Sequence, residues 1–362
     1  MIEAFKNKTV LVTGHTGFKG SWLSIWLKTL GANVVGISDI VPTKPSNFDA
    51  SNIGKFIKDY RINISDEQEV RKIINEVQPN FVFHLAAQAL VKESYKNPLQ
   101  TMKTNAMGSA NILEALRLLN KKVFVVMITS DKAYDNVEWV WGYRENDKLG
   151  GKDPYSASKG MAELAIHSFV KSYFIKEDSN VKLAIARAGN VIGGGDWASD
   201  RIVPDCVRSW SQNKRVDIRS PNATRPWQHV LEPLSGYLLL ATKLASGSSH
   251  GEAYNFGPRA EHNYSVQALI NEMAKHWDNV QWLDTSDKKQ LFHEAGLLKL
   301  NCDKALAELS WQAVLNFETT VAMTINWYKE FYQNNGNMFG FTVKQINLYC
   351  DIAESKNQLW AK

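Results

Sequence analysis

A chain of 362 residues with 44% apolar and 22% charged side chains can bury a large core, and its length predicts two domains or one large domain with an appended lobe. A net charge of +5 without any long run of Lys and Arg argues against nucleic acid as a partner, and no segment approaches the length of a membrane-spanning helix. Cys206, Cys302 and Cys350 lie far apart and show no Cys/His ligand spacing, which excludes a disulfide framework and a metal centre from the expectations and points, with an N-terminus lacking an apolar signal core, to a reducing cytoplasmic compartment.

Lys8 to Thr13 reads as a short buried strand, followed by a glycine turn and a helix. On that helix Phe18, Trp22, Trp26 and Leu30 recur every four residues, with Leu23 and Leu27 beside them. Gly31 ends the helix, and Asn33 to Ile37 forms the next strand. Phe81 to Ala86 is a further apolar strand, Asn105 to Leu119 a helix, Val123 to Thr129 a strand, and Val181 to Arg187 another. Apolar strands spaced by helices predict a parallel sheet covered on both faces, with ligand sites at the carboxyl ends of its strands. After Arg187 the pattern loosens. Gly193-Gly194-Gly195 and the stretch around Pro221 and Pro226 mark loops, Val230 to Leu244 a helix, and His250 to Gly257 contains a short strand. Most of the twelve Trp are expected to be packing residues.

Between the first strand and the first helix stands Thr13-Gly14-His15-Thr16-Gly17-Phe18-Lys19-Gly20. In this setting Gly14 permits a sharp turn, Gly17 lets the backbone approach a diphosphate, and Gly20 lets the helix pack closely on the sheet. The fold class is therefore α/β, a Rossmann-type doubly wound parallel sheet, with residues 1–186 as an NAD-binding domain, later returns near 226–256, and 187–362 mainly a smaller substrate-binding lobe. Asp39, 19 residues beyond Gly20, can accept hydrogen bonds from the ribose hydroxyls and would repel a 2′-phosphate, which favours NAD over NADP. Tyr155 and Lys159 lie one helical turn apart, so that the ammonium is expected to lower the phenol pKa and make Tyr155 a base.

The glycine turn, the strand ending in Thr129-Ser130 and the Tyr155/Lys159 pair together resemble the extended short-chain dehydrogenase/reductase superfamily, where Ser or Thr, Tyr and Lys form the catalytic set. Thr129-Ser130-Asp131-Lys132 stands where its nucleotide-sugar 4,6-dehydratases carry Thr-Asp-Glu, and Lys132 in place of that Glu resembles the CDP-glucose branch. Longer blocks carry the same resemblance: Gly14 to Leu23, Pro42 to Ser46, His84 to Gln88, Trp141 to Asn146, Arg187 to Trp197, Arg201 to Asp205 and Arg225 to Val230. The resemblance implies NAD contacts at His15, Thr16, Phe18, Asn63, Ile64, Leu85, Ala86 and Ala87 as well as at the glycines, Asp39, Tyr155 and Lys159. It implies nucleotide-sugar contacts at Gln88, Asn190, Arg201, Arg225 and His229, CDP-glucose as substrate, and a homodimer or homotetramer paired through the helices near Asn105 to Leu119 and Tyr155 to Phe174. Asn63 departs from the family's usual Asp and Asp39 from an apolar residue; near His293 and Glu294, Leu297 and Asn301 stand where Tyr and Asp are usual.

The implied chemistry is an internal redox cycle. Tyr155 takes the 4-hydroxyl proton, Ser130 hydrogen-bonds the reacting oxygen and Lys159 holds the Tyr and the nicotinamide ribose. Lys132 removes the C5 proton and Asp131 protonates the departing 6-hydroxyl. A 4-epimerase of the same fold would share Tyr155, Lys159 and Ser130 without needing Asp131 and Lys132, and a cofactor-sensing protein would need no intact Tyr155 and Lys159.

Overall fold

The computed structural model describes residues 2–259, 261–286, 297–334 and 336–361, so His293 and Glu294 lie outside the described residues. Among the described residues, seven parallel strands form the main sheet: β1 (Thr9–Thr13), β2 (Asn33–Ser38), β3 (Lys58–Arg61), β4 (Phe81–His84), β5 (Val123–Ile128), β6 (Val181–Ala188) and β7 (Ala253–Phe256). Their spatial order is β7-β6-β5-β4-β1-β2-β3. The order reverses between β1 and β4, which leaves a crevice at the carboxyl ends where connections depart in opposite directions.

Both faces of the sheet are covered because successive side chains alternate. Val10 and Val12 of β1 join Phe81 and Phe83 on one face, under helix α1 (Phe18–Thr29) and the C-terminal helices; Leu11 joins Val35, Ile37 and Val82 on the other, under α2 (Glu67–Val77) and α3 (Gly108–Arg117). Helix α1 is buried all round from Gly20 to Leu27. Trp26 meets Tyr349 edge-on at 5.9 Å, and Tyr349 belongs to a helix over Met338–Ser355 that wraps the outer side of α1. Trp22, Trp26, Trp210, Trp311 and Trp327 are fully buried, so the high tryptophan content serves packing at these positions.

Two local expectations need correction, and one strand was not foreseen. Strand β3 was not legible, because Lys58-Asp59-Tyr60-Arg61 has no apolar run; it is an edge strand, where charged side chains discourage further pairing. Strand β4 stops at His84 rather than Ala86, since the chain then leaves the sheet to line the crevice. The helix expected from Asn105 is the end of a longer run from Pro98 to Arg117, interrupted by a π-helical turn at Lys103–Met107.

After β6 the chain crosses α4 (Ile202–Trp210) and α5 (Leu231–Ala245) before returning to pair β7 with β6. Buried Glu232 on α5 accepts hydrogen bonds from the backbone N–H of Val314 (2.9 Å) and Leu315 (2.7 Å) and from the Tyr349 hydroxyl (2.8 Å), which ties the C-terminal region to this helix. Burial pushes its carboxyl up from 4.5 to about 7, although the three donors favour the charged form. The folded chain therefore holds this proton over a window in which the unfolded chain has lost it. The stabilisation is fully present below pH 4.5 and is lost as pH rises through about 7. Over that window the wild type should lose roughly 3 kcal/mol relative to Glu232→Gln, read as a falling Tm difference between the two in melts at successive pH values.

Candidate active site

The crevice is one cleft of about 890 Å³ running from Asp39 and Asn63 at one end to Ile218 and Arg225 at the other. Its first wall is the glycine turn. Gly14 has φ +75°, and a Cβ there would stand 2.8 Å from the Ala86 nitrogen; a Cβ on Gly20 would stand 2.1 Å from the Gly14 oxygen. Only glycines let strand end, turn and helix come this close. Gly17 caps α1 without any side-chain hydrogen bond, so the helix N-terminus faces the cleft with its dipole unanswered. Thr16 ties the turn to the next strand end by donating from Oγ1 to the Ile40 carbonyl at 2.6 Å. Asp39 accepts from the Ile40 N–H at 2.8 Å and from Asn63 Nδ2 at 3.2 Å, so the two residues act as one unit.

The second wall follows β4. Leu85, Ala86 and Ala87 line the cleft, with Ala86 N–H donating to Thr13 Oγ1 at 3.2 Å. Gln88 is held by Asn105 of the π-helical turn, which accepts from Gln88 N–H at 2.8 Å and donates to the Gln88 carbonyl at 3.0 Å and to Ser158 Oγ at 2.8 Å. The Gln88 side chain is turned back onto Leu90 and Thr101.

The third wall carries the reactive groups. Ser130, Asp131 and Lys132 follow β5, and Ser130 Oγ donates to Asp131 Oδ1 at 2.8 Å. Tyr155 and Lys159 lie on α-helix Pro154–Phe169, whose N-cap Asp153 accepts from Ser156 N–H at 3.0 Å and whose first residue is proline, two local signals that start the helix here. The Lys159 ammonium is 5.9 Å from the Tyr155 ring centroid. Burial, and then the Asp131 carboxylate, push the Tyr155 phenol up to about 12, while Ser130 and Arg201 pull it back only in part. The expected depression by Lys159 is not found: the groups that lower the phenol are Ser130 and Arg201, and desolvation outweighs both. Burial lowers Lys159 itself to about 8 against the opposing charge of Glu163.

Behind these groups lies a buried ion pair. Arg187 on β6 makes two 2.7 Å bonds to Glu163, one turn beyond Lys159, and donates to the Tyr134 hydroxyl at 2.7 Å. Thr129 donates to Glu163 at 2.5 Å, and Tyr134 donates to Asn255 of β7 at 2.8 Å. The pair fastens the helix of Tyr155 to the ends of three adjacent strands.

Thus Gly14, Thr16, Gly17, Phe18, Gly20, Asp39, Asn63, Ile64, Leu85, Ala86, Ala87, Gln88, Ser130, Asp131, Lys132, Tyr155, Lys159, Asn190, Arg201 and Arg225 all line one cleft. Arg201 also pairs with Asp196 at 2.7 Å. Two expected residues do not reach it. His15 is fully buried, bonds Asp59 of β3 at 2.9 Å and lies where a Cβ on Gly36 would be, 2.3 Å from its ring. His229 is also fully buried, edge-on to Trp22 at 5.8 Å, and burial lowers its pKa to about 3, so it is a neutral core residue. Reasoning from sequence passed over Lys19, which lines the cleft; its signal was a charged residue inside a turn read for its glycines.

A family model described as GDP-mannose 4,6 dehydratase matches residues 11–324. The chain is 47% identical over 330 residues to CDP-glucose 4,6-dehydratase of Salmonella typhimurium, covering 90% of this chain and 91% of the relative. It is 25% identical over 338 residues to a probable dTDP-glucose 4,6-dehydratase of Sinorhizobium fredii, covering 89% and 93%. Among solved structures, UDP-glucose 4-epimerase of Thermotoga maritima with UDP-glucose superposes with a TM-score of 0.77 at 23% identity, covering 90% of this chain and 100% of that one. UDP-glucose 4-epimerase of Brucella ovis in complex with NAD gives 0.76 at 17%, covering 89% and 98%; both show the shared fold.

The close approach at the turn generates a test. Gly20→Ala should cost roughly 1–3 kcal/mol, because the clash is with backbone that cannot move aside, and denaturant titration would detect the lower midpoint.

Proposed function

This chain belongs to the GDP-mannose 4,6 dehydratase family, and from that membership we propose that it is a hydro-lyase converting CDP-glucose to CDP-4-keto-6-deoxyglucose and water, with NAD as resident cofactor. The carrying observation is that two reactive pairs share one cleft: Tyr155 with Lys159, and Asp131 with Lys132. An epimerase uses the first pair alone; the second is suited to removing a proton and a hydroxyl from neighbouring carbons. The choice of CDP-glucose is supported by the 47% identity to the Salmonella typhimurium enzyme of that name.

The glycine cradle, the uncapped N-terminus of α1 and the Asp39–Asn63 unit fit a dinucleotide, the first two at its diphosphate and the last at the adenosine ribose. NAD+ bound there would accept hydride from C4, return it to C6 and add a cationic ring near Tyr155. Tyr155 takes the 4-hydroxyl proton, with Lys159 beside its ring and Ser130 against the reacting oxygen. The new C4 ketone acidifies C5–H. Lys132 takes that proton while Asp131 gives one to the 6-oxygen, so the C6–O bond breaks and water leaves. Lys132 then returns a proton to C5 as hydride reaches C6, Tyr155 releases the 4-hydroxyl proton to solvent, and Asp131 recovers its own from there. Asn190, Arg201 and Arg225 serve the nucleotide-sugar in this reading, held by the chain beyond residue 187 as a substrate lobe around the 1–186 cofactor domain.

The same reading places the enzyme in the cytoplasm, supported by three unpaired cysteines, and pairs two copies through the exposed apolar side chains of Leu99, Met107, Met161 and Leu164. No helix among the described residues is long and apolar enough to cross a membrane.

Incubation with CDP-glucose and mass analysis of the sugar nucleotide test the reaction: loss of one water is expected, whereas unchanged mass would overturn it. Tyr155→Phe should reduce turnover about 10²–10⁴-fold with the fold intact. Asp131→Asn and Lys132→Met should each block water loss while leaving CDP-glucose bound. Full activity in either variant would show that the elimination pair lies elsewhere.

A further inference from the structure

Lys19 stands on the first turn of α1, between Phe18, which lies beneath the Gly193 turn, and Gly20, which packs on Gly14. Its side chain lines the cleft yet has no hydrogen-bond or ion-pair partner among the described residues. The charges that act on it are those of Arg201, Asp131 and Lys159. Arg201 is already paired with Asp196, and the Asp131 carboxylate receives the Ser130 hydroxyl. The surroundings therefore hold more positive charge than the protein's own anions answer. A half-buried ammonium with no ion-pair partner is costly, and burial lowers its pKa to about 8 despite the charge of Asp131, which leaves most of the charge in place at neutral pH. The neighbouring backbone dipole points its positive end the same way. Cation and helix terminus both call for an anion that the polypeptide does not supply.

We propose that Lys19 binds a diphosphate group of a cleft ligand, closing the gap between the uncapped start of α1 and Arg201. This rests on the reading of the chain as a nucleotide-sugar enzyme, in which cofactor and substrate each carry a diphosphate. Acetate-like or neutral ligands would leave the site under-neutralised; a diphosphate brings two negative charges to a place where the Lys19 ammonium has no ion-pair partner among the described residues. Because the side chain is tied to nothing else, its removal leaves no buried group orphaned, and the variants below should fold normally.

The test is equilibrium binding by the full chain. Protein stripped of nucleotide is titrated with NAD+, and NAD+-saturated protein with CDP and with cytidine, for wild type, Lys19→Met and Lys19→Arg. Loss of a charge-assisted phosphate contact should weaken one ligand on the order of 10- to 100-fold in Lys19→Met, with substantial recovery in Lys19→Arg. Weakened NAD+ with unchanged CDP assigns Lys19 to the cofactor diphosphate. Weakened CDP with unchanged cytidine assigns it to the substrate diphosphate. Wild-type affinity of Lys19→Met for both, or an equal loss for CDP and cytidine, overturns the proposal. A wild-type protein that binds neither NAD+ nor CDP would instead overturn the functional reading beneath it.

Discussion

The buried Arg187–Glu163 pair is the interaction on which the chemistry of the cleft depends. Neither side chain has access to water, and each would be strongly destabilising without the other. Their geometry fixes more than themselves. Glu163 takes the Thr129 hydroxyl immediately before Ser130 and Asp131, and it lies one turn along the helix from Lys159. Arg187 reaches Tyr134 and through it Asn255. One charge pair thus sets the distance between the strand end that carries the Ser130–Asp131–Lys132 turn and the helix that carries Tyr155, while supplying the negative charge that helps Lys159 keep its proton in a desolvated site.

That arrangement also explains a tension in the electrostatics. The phenol of Tyr155 is held in its protonated form by burial and by Asp131, although the proposed reaction asks it to accept a proton. Lys19 feels the charges of Asp131, Arg201 and Lys159, so the cleft sets acidic and basic groups within electrostatic reach of one another. Burial and Asp131 thus leave Tyr155 a poor base in the protein alone.

The features legible in the sequence were the local ones. Apolar runs became β1, β2, β4, β5 and β6, and the glycine turn with its helix formed because its requirements lie within eight consecutive residues. Tyr155 and Lys159 were readable because helical spacing alone puts them on one face. What failed depended on burial or on distant partners. His15 and His229 stand within blocks rich in site residues, yet their rings point into packing around Gly36 and Trp22, which no local pattern reports. Strand β3 is charged, and only its place at the sheet edge makes it a strand. The pKa of Tyr155 was misjudged because adjacency to a lysine is visible in sequence and desolvation is not. The ion pair between Glu163 and Arg187 spans 24 positions and gave no signal at all.

The π-helical turn at Lys103–Met107 carries one more implication. A π turn is an α-helix with one surplus residue, and here the surplus presents Asn105 to both Gln88 and Ser158. Deleting a single residue from this stretch would restore ideal helix geometry locally while rotating everything on one side of it by about 100° relative to the other. Asn105 would swing off the Gln88 backbone, or α3 would lose its seat against α2. Evolution can therefore substitute along this helix far more freely than it can change its length, and the count of residues between Pro98 and Arg117 is as much a part of the active site's blueprint as any side chain that touches a ligand.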